Sequence, residues 1–254
     1  MDITQLLSKS AKKAENGSVA EPKTLPSIKK PNGGRCKVTG SHLVSCLPPK
    51  DDFKAFFEEH LQNDNKKIKV AAFDMDDTLI CTRSGIKFGR GPHDWKFRTD
   101  TILPVLQQKI AVERYLMVIF TNQGSISVSE NLTQTSKSYR NFTIKITQIL
   151  TALDTTLKGA PVLVFAASGR PGRSHTMRSG EEEHFHTRKP QTGMWEALET
   201  YLRGALGDEY EVDMEKSLYV GDAAGREGDH LADDRNFAKN VGLYYEVPED
   251  FFLE

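Results

Sequence analysis

The chain has 254 residues, of which 38% are hydrophobic and 27% charged, with a formal net charge of −1. This composition is typical of a globular protein, and no apolar run approaches the ~18–20 residues that a membrane-spanning helix requires. The N-terminus lacks the apolar run of a secretory signal. The three cysteines, Cys36, Cys46 and Cys81, argue by number and spacing against a disulfide framework and a zinc site, and they fit a reducing compartment.

The positive charge is concentrated near the N-terminus. Residues 1–50 contain nine Lys or Arg and three Asp or Glu, so this segment carries +6 and the remainder −7. Its prolines and glycines interrupt any periodicity. We therefore predict a basic, disordered tail over residues 1–48 and one folded domain over residues 49–254. Such a tail is either a solvated segment, a nucleic-acid contact or an import signal.

Helical and strand patterns alternate from Asp51 onward. A short amphipathic helix is predicted at residues 53–60, and further helices are predicted around residues 142–153 and 195–202. Apolar runs typical of buried parallel strands lie at residues 69–75, 115–121, 162–167 and 217–220. This alternation predicts an α/β fold, a doubly wound parallel sheet with helices on both faces.

Polar side chains follow three of the four predicted strands. Asp74 and Asp76 follow the first, Thr121 and Asn122 end the second, and Asp222 follows the fourth. The carboxyl ends of parallel strands meet at one edge of a sheet, where such folds bind ligands. Clustered carboxylates need a compensating cation or proton, and Mg²⁺ is a hard cation that prefers oxygen ligands. Taken singly, each feature is also compatible with a solvated acidic loop or with a hydroxyl bonded to its own backbone.

The joint pattern resembles the haloacid dehalogenase superfamily of phosphotransferases. Over residues 65–254 it is similar to the polynucleotide 3′-phosphatases, both the phosphatase domains of polynucleotide kinase/phosphatases and the stand-alone fungal enzymes. The resemblance rests on the motifs FDMDDTL, TNQG, RKPQTGMW, VGDAAGR, DDRNFA and PEDFF. It implies a haloacid dehalogenase-like sheet with small flap insertions.

The resemblance also implies roles for individual residues. Asp74 would be the nucleophile that forms an aspartyl-phosphate, Asp76 the general acid and base, and Thr78 the residue that orients Asp76. Lys189 would bind the transferred phosphoryl group together with Thr121 and the amide of Asn122. Mg²⁺ would be held by Asp74, the backbone carbonyl of Asp76, and Asp222. The residues expected to contact the DNA substrate are Arg170, Arg188 and Arg226.

Several points stay open at the level of sequence. Three later acids, Asp229, Asp233 and Asp234, could each support the metal site. Residues 81–100 are expected to form a flap, and residues 168–188 a long, arginine-containing loop. The chain contains no G-x-x-x-x-G-K-[ST] motif for a 5′-kinase and no Cys followed six residues later by Arg, so a cysteine phosphatase of that type is excluded.

The expected activity is hydrolysis of DNA 3′-phosphate ends to 3′-hydroxyls during strand-break repair. The expected protein is a nuclear monomer without membrane contact, whose partners are DNA ends and repair proteins. Two alternatives remain: a phosphatase of the same fold acting on a small metabolite or a phosphoprotein, and a module that binds DNA ends without catalysis. The second would need no nucleophile, so the set Asp74, Asp76, Asp222 and Lys189 argues against it.

Overall fold

The structure is a computed structural model, and it describes residues 36–61, 66–87, 89–128, 136–170, 179–229 and 231–253. Within these ranges the strands are β1 (Cys36–Thr39), β2 (Leu43–Cys46), β3 (Lys67–Ile68), β4 (Val70–Phe73), β5 (Ile80–Cys81), β6 (Lys96–Phe97), β7 (Leu116–Ser127), β8 (Val162–Gly169), β9 (Glu211–Val212), β10 (Leu218–Val220) and β11 (Tyr244–Glu246). The helices are α1 (Lys50–His60), α2 (Ile102–Leu106, continued by a π-helix at Gln107–Val112), α3 (Lys137–Thr156), α4 (Glu181–Thr187), α5 (Gly193–Leu206), α6 (Asp233–Val241) and α7 (Pro248–Phe251).

The main sheet has the strand order β1-β2-β8-β7-β4-β10-β11. The strands from β8 to β11 pair in parallel. The chain starts this parallel part at the central strand β4, builds outward through β7 and β8, and then returns to add β10 and β11 on the other side. The doubly wound sheet predicted from the sequence is confirmed, as are its four core strands. The order reverses beside β4, so the carboxyl end of β4 is the expected ligand site.

Helices cover both faces of the sheet because side chains alternate across β4. Ala71 and Phe73 belong to a core cluster with residues of α2 and α3, whereas Val70 and Ala72 belong to a second cluster with residues of α1, α5 and α6. The buried side chains of α3, Phe142, Ile146, Ile149 and Leu153 among them, recur at helical spacing. The three predicted helices are confirmed. None of the helices in the described ranges is long and apolar enough to cross a membrane.

The predicted end of the disordered tail, at residue 48, is wrong. Strands β1 and β2 lie within residues 36–46, and β2 is buried along its whole length and pairs antiparallel with β8. These four-residue strands lie among prolines and glycines, so their hydrophobic periodicity is too short to be recognised in the sequence.

Cys36 and Cys46 face each other across the β1–β2 pair and form a disulfide. The cysteines therefore give no support to a reducing compartment. The first 35 residues of the predicted tail lie outside the described residues.

The two predicted loops differ in outcome. Residues 168–188 are not one continuous loop, because α4 (Glu181–Thr187) lies within them; residues 171–178 lie outside the described ranges.

The predicted flap over residues 81–100 has an antiparallel base, in which β5 pairs with β6. Trp95 of this flap packs against the core and donates a hydrogen bond from Nε1 to Gln148 Oε1 at 3.2 Å. The flap is thereby attached to α3.

Candidate functional site

Three carboxylates converge at the carboxyl ends of β4 and β10. Asp74 directly follows β4, and its amide donates to the Val220 carbonyl at 2.9 Å. This hydrogen bond holds the carboxyl ends of β4 and β10 side by side. Asp222 follows β10, and Asp234 is the second residue of α6. Carboxylate oxygens of Asp74, Asp222 and Asp234 lie within 4.8 Å of one another. Sequence reasoning placed the first two here and left Asp234 as one of three choices.

Lys189 is the buried cation of this cluster, with 3% of its side chain exposed. Its Nζ donates to Asp74 Oδ1 at 2.6 Å, to Asp234 Oδ1 at 2.7 Å and to the Tyr219 hydroxyl at 2.9 Å. An ammonium group has three N–H donors, so all of them are used. The Tyr219 hydroxyl in turn donates to Asp234 Oδ1 at 2.8 Å. Tyr219, to which the sequence assigned no role, completes a closed network around the lysine.

The end of β7 positions Lys189. The side-chain amide of Asn122 donates to the Lys189 carbonyl at 3.1 Å, and the Lys189 amide donates back to Asn122 Oδ1 at 3.0 Å. The Asn122 side chain therefore acts on the backbone of Lys189. Thr121 is buried beside it, and its Oγ1 accepts a hydrogen bond from Gln123 Nε2 at 2.8 Å. The structure brings both predicted β7 residues to the site.

The cluster contains more negative charge than Lys189 balances. Burial raises the pKa of Asp74; Lys189 partly offsets this, and the charges of Asp234 and Asp222 add to it. Burial, reinforced by Asp234, raises the pKa of Asp222 to about 6. Burial alone would lower the pKa of Lys189, but Asp234 and Asp74 outweigh it and raise the value. Two buried carboxylates and the half-buried Asp222, with one lysine, have the oxygen ligands and the charge that suit a hard divalent cation.

The predicted role of Thr78 is corrected by its contacts. Its hydroxyl donates to Asp222 Oδ1 at 3.0 Å and accepts from the Asp222 amide at 3.1 Å. Thr78 therefore orients Asp222 and not Asp76. The backbone of Asp77 is left-handed, with φ of 59°, so Asp76 and Thr78 do not lie on one face of an extended strand.

Asp76 stands apart from the three-carboxylate cluster. Its side chain is 48% exposed, and its two carboxylate oxygens accept from different donors. Lys145 Nζ lies 3.0 Å from Oδ1, and Gln123 Nε2 lies 2.6 Å from Oδ2. The sequence had assigned a role to neither donor. Lys145 is a half-buried polar position on α3 next to the buried Ile146, a pattern that by itself indicates only a helix surface.

The three predicted substrate arginines have different surroundings. Arg226 contacts Asp229 and Glu249 through its guanidinium and the Asp222 carbonyl at 3.2 Å. Arg170 pairs with Glu181 on the surface, and Arg188 is exposed. Their contact with a substrate remains a prediction.

The acids that follow Asp222 have separate tasks. Asp229 accepts from the amides of Ala224 and Arg226 and so stabilises the turn after β10. Asp233 lies outside the three-carboxylate cluster, and burial raises its pKa. Only Asp234, among these three, joins Asp74 and Asp222. Its Oδ2 also accepts from the Ala223 amide at 3.0 Å, which ties α6 to the loop after β10.

Glu249 of α7 links the two loops that surround the cluster. It accepts from Arg98 Nη2 at 2.7 Å and from Arg226 Nη1 at 3.2 Å. Arg98 also donates to the Asp77 carbonyl at 2.9 Å. The C-terminal helix therefore braces both the loop after β4 and the loop after β10.

Comparison with known proteins places this site in a family. The family model described as polynucleotide kinase 3 phosphatase matches residues 69–252. The bifunctional polynucleotide phosphatase/kinase of Schizosaccharomyces pombe is 35% identical over 188 residues, which are 74% of this chain and 38% of that protein. The polynucleotide 3′-phosphatase ZDP of Arabidopsis thaliana is 32% identical over 189 residues, 74% of this chain and 24% of that protein.

A third relative has nearly the same extent as this chain. The polynucleotide 3′-phosphatase of Saccharomyces cerevisiae is 30% identical in an alignment of 241 positions that covers 84% of this chain and 99% of the relative. This chain thus spans well under half of the first two relatives and nearly all of the third. The matched family range contains Asp74, Asp76, Lys189, Asp222 and Asp234. The chain belongs to the polynucleotide kinase 3 phosphatase family.

Proposed function

We propose that the protein hydrolyses the 3′-phosphate of polynucleotide ends and leaves a 3′-hydroxyl. One observation carries the proposal: the family match includes a buried Asp74 held by Lys189 at the carboxyl end of the central strand, with the separate carboxylate of Asp76 two residues away. A nucleophile, a fixed cation and a second carboxylate are the groups that phosphoryl transfer through a covalent intermediate needs.

In the first step, an Asp74 carboxylate oxygen bonds to phosphorus while the bond from phosphorus to the 3′-oxygen breaks. Asp76 donates a proton to the departing 3′-oxygen. Lys189 holds Asp74 in place, and its positive charge favours the developing negative charge on the phosphoryl oxygens. Thr121, buried at the end of β7, places a hydroxyl at the same strand edge.

In the second step, water attacks the aspartyl-phosphate, Asp76 accepts its proton, and inorganic phosphate leaves with Asp74 restored. The same carboxylate therefore acts as acid and then as base. Its exposure suits both steps, because the leaving strand departs toward solvent and water enters from it.

The cation in this proposal is Mg²⁺. The residues that would hold it are Asp74, the backbone carbonyl of Asp76, and Asp222, with Asp234 at the same cluster. When bound, it offsets the repulsion between an anionic nucleophile and an anionic substrate. Thr78 supports this arrangement from the protein side, since it orients the Asp222 carboxylate.

The proposal extends to DNA as substrate and to strand-break repair in the nucleus. The support is the naming of relatives as polynucleotide 3′-phosphatases and the basic composition of residues 1–50. A 3′-hydroxyl is what a polymerase or ligase needs, so DNA ends and the repair proteins that act on them are the proposed partners of this protein, acting as a monomer.

The deciding experiment measures phosphate release from a 3′-phosphorylated DNA oligonucleotide with Mg²⁺, beside its 5′-phosphorylated twin. We expect release from the 3′ end alone, lost on addition of EDTA. Turnover of a small phosphate ester but of neither oligonucleotide would keep the phosphatase and refute the DNA substrate. Tight binding of 3′-phosphorylated ends without release would favour a binding module.

Removal of the cation should make stability depend on pH in a defined direction. The pKa of Asp222 is raised to about 6 by burial and by Asp234, so its protonation stabilises the fold. This contribution is fully present below the unfolded pKa and is lost as pH rises through 6. Between pH 5 and pH 7.5 we expect the metal-free free energy of unfolding to fall by about 1 kcal/mol from this group.

Urea unfolding in EDTA at pH 5, 6 and 7.5 measures this dependence. Mg²⁺ should restore stability most at pH 7.5, because it binds the ionised carboxylate. Asp222→Asn should remove the contribution of this group and so make the dependence of stability on pH shallower. Equal stability of the metal-free protein at all three pH values would contradict the prediction.

A further inference from the structure

The carboxylate of Asp76 is held from two sides by two different elements. Lys145 reaches Oδ1 from α3 at 3.0 Å, and Gln123 reaches Oδ2 from the end of β7 at 2.6 Å. We propose that Lys145 and Gln123 are positioning residues that fix the Asp76 carboxylate where it meets the departing 3′-oxygen. The proposal rests on the proposed function, and it adds two residues to the motif-derived set.

Lys145 is well placed to act as a fixed donor. It precedes Ile146 on α3, and the buried side chains Phe142, Ile146 and Ile149 attach this helix to the sheet. Only 21% of the Lys145 side chain is exposed, so its stem is confined and its Nζ points to the site. The base of the side chain therefore moves little relative to β4.

Gln123 supplies the second donor from a different direction. Its Nε2 also lies 2.8 Å from Thr121 Oγ1. The Gln123 side-chain amide therefore links the Asp76 carboxylate to the Thr121 hydroxyl, which is predicted to bind the phosphoryl group. Two donors from two elements restrict the rotation of a carboxylate that one donor would leave free. Catalysis is sensitive to such placement because reacting groups must start near their transition-state geometry.

Stability does not account for the Lys145–Asp76 pair. The Asp76 side chain is about half exposed, and ion pairs at exposed positions contribute little to folding. Lys145 nevertheless donates to one oxygen of the Asp76 carboxylate. Orientation of that carboxylate explains the contact better than a contribution to stability does.

The test compares two substrates that differ in one atom. One is a 3′-phosphorylated oligonucleotide, whose alkoxide needs a proton as it leaves. The other has sulfur in place of the bridging 3′-oxygen, and its thiolate leaves without protonation. For Lys145→Met we expect kcat/KM on the oxygen substrate to fall about 30-fold, a fraction of what general acids contribute. On the sulfur substrate kcat/KM should stay within about threefold, because Asp76 is not needed as an acid there.

Matched variants separate positioning from other effects. Lys145→Arg keeps a cationic donor and should recover most of the lost rate. Lys54→Met removes one positive charge from an exposed side chain of α1 that pairs with Glu58, and it should leave kcat/KM on both substrates unchanged. Gln123→Met should also lower kcat/KM more on the oxygen substrate than on the sulfur substrate. A further loss of kcat/KM is expected because the variant also lacks the contact with Thr121.

Two outcomes would overturn the proposal while the proposed function stands. One is an equal loss on both substrates, which would indicate general damage to the site. The other is weaker binding of the 3′-hydroxyl product strand, measured by fluorescence anisotropy, with kcat unchanged, which would make Lys145 a DNA contact. Failure of the unaltered protein on both substrates would instead refute the proposed function and this inference with it.

Discussion

Asp74→Asn should abolish phosphate release while the fold persists. Without the carboxylate oxygen no aspartyl-phosphate can form, and we expect kcat to fall roughly 10³-fold or more. The variant should still fold, because the asparagine oxygen can accept from Lys189 Nζ, which lies 2.6 Å from Asp74 Oδ1. Loss of one charge from a crowded carboxylate cluster also removes repulsion. Phosphate release and urea unfolding, measured on the same preparation, test both parts.

Asp208→Asn is the matched control for Asp74→Asn. It makes the same chemical change at a side chain that is 86% exposed and does not belong to the three-carboxylate cluster. Its activity should equal that of the unaltered protein. Residual activity of Asp74→Asn within about tenfold of normal would rule out Asp74 as the nucleophile, because an amide cannot form the covalent intermediate.

Lys189→Met should destabilise the protein more than any surface change. The substitution leaves Asp74 and Asp234 buried without their shared cation, and breaking a buried ion pair from one side costs about 3–5 kcal/mol. It also removes the positive charge beside the nucleophile, so activity should be lost as well. Urea unfolding in EDTA measures the loss of stability.

A double-variant cycle tests whether that cost comes from uncompensated charge. When Lys189→Met is combined with Asp234→Asn, position 234 carries no charge, so only Asp74 is left without its cation. The combined loss should therefore be smaller than the sum of the single losses by more than about 1 kcal/mol. Lys54→Met, at an exposed ion pair, should cost about 0.5 kcal/mol or less. Additive losses at Lys189 and Asp234 would show that packing, not charge, dominates.

The sheet and its site edge could be predicted because their signals are local. The apolar runs before Asp74 and Asp222 mark buried parallel strands, and the alternation of strands and helices limits the topology. Strands β1 and β2 were missed because prolines and glycines surround them and no helix separates them. β1 pairs with β2, and the pairing of β2 with β8 depends on a partner more than a hundred residues away.

The sequence by itself determined the family, the central strands and the edge to which Asp74, Asp76, Thr121 and Asp222 belong, because motif residues at strand ends carry that information. Lys189 was assigned to the same site through the motif RKPQTGMW. Only the tertiary structure decided which partner each side chain takes. Thr78 turns to Asp222 across 144 positions, and Lys145 reaches Asp76 across 69. Such contacts depend on the left-handed turn at Asp77 and on where α3 packs against the sheet, and residue spacing encodes neither.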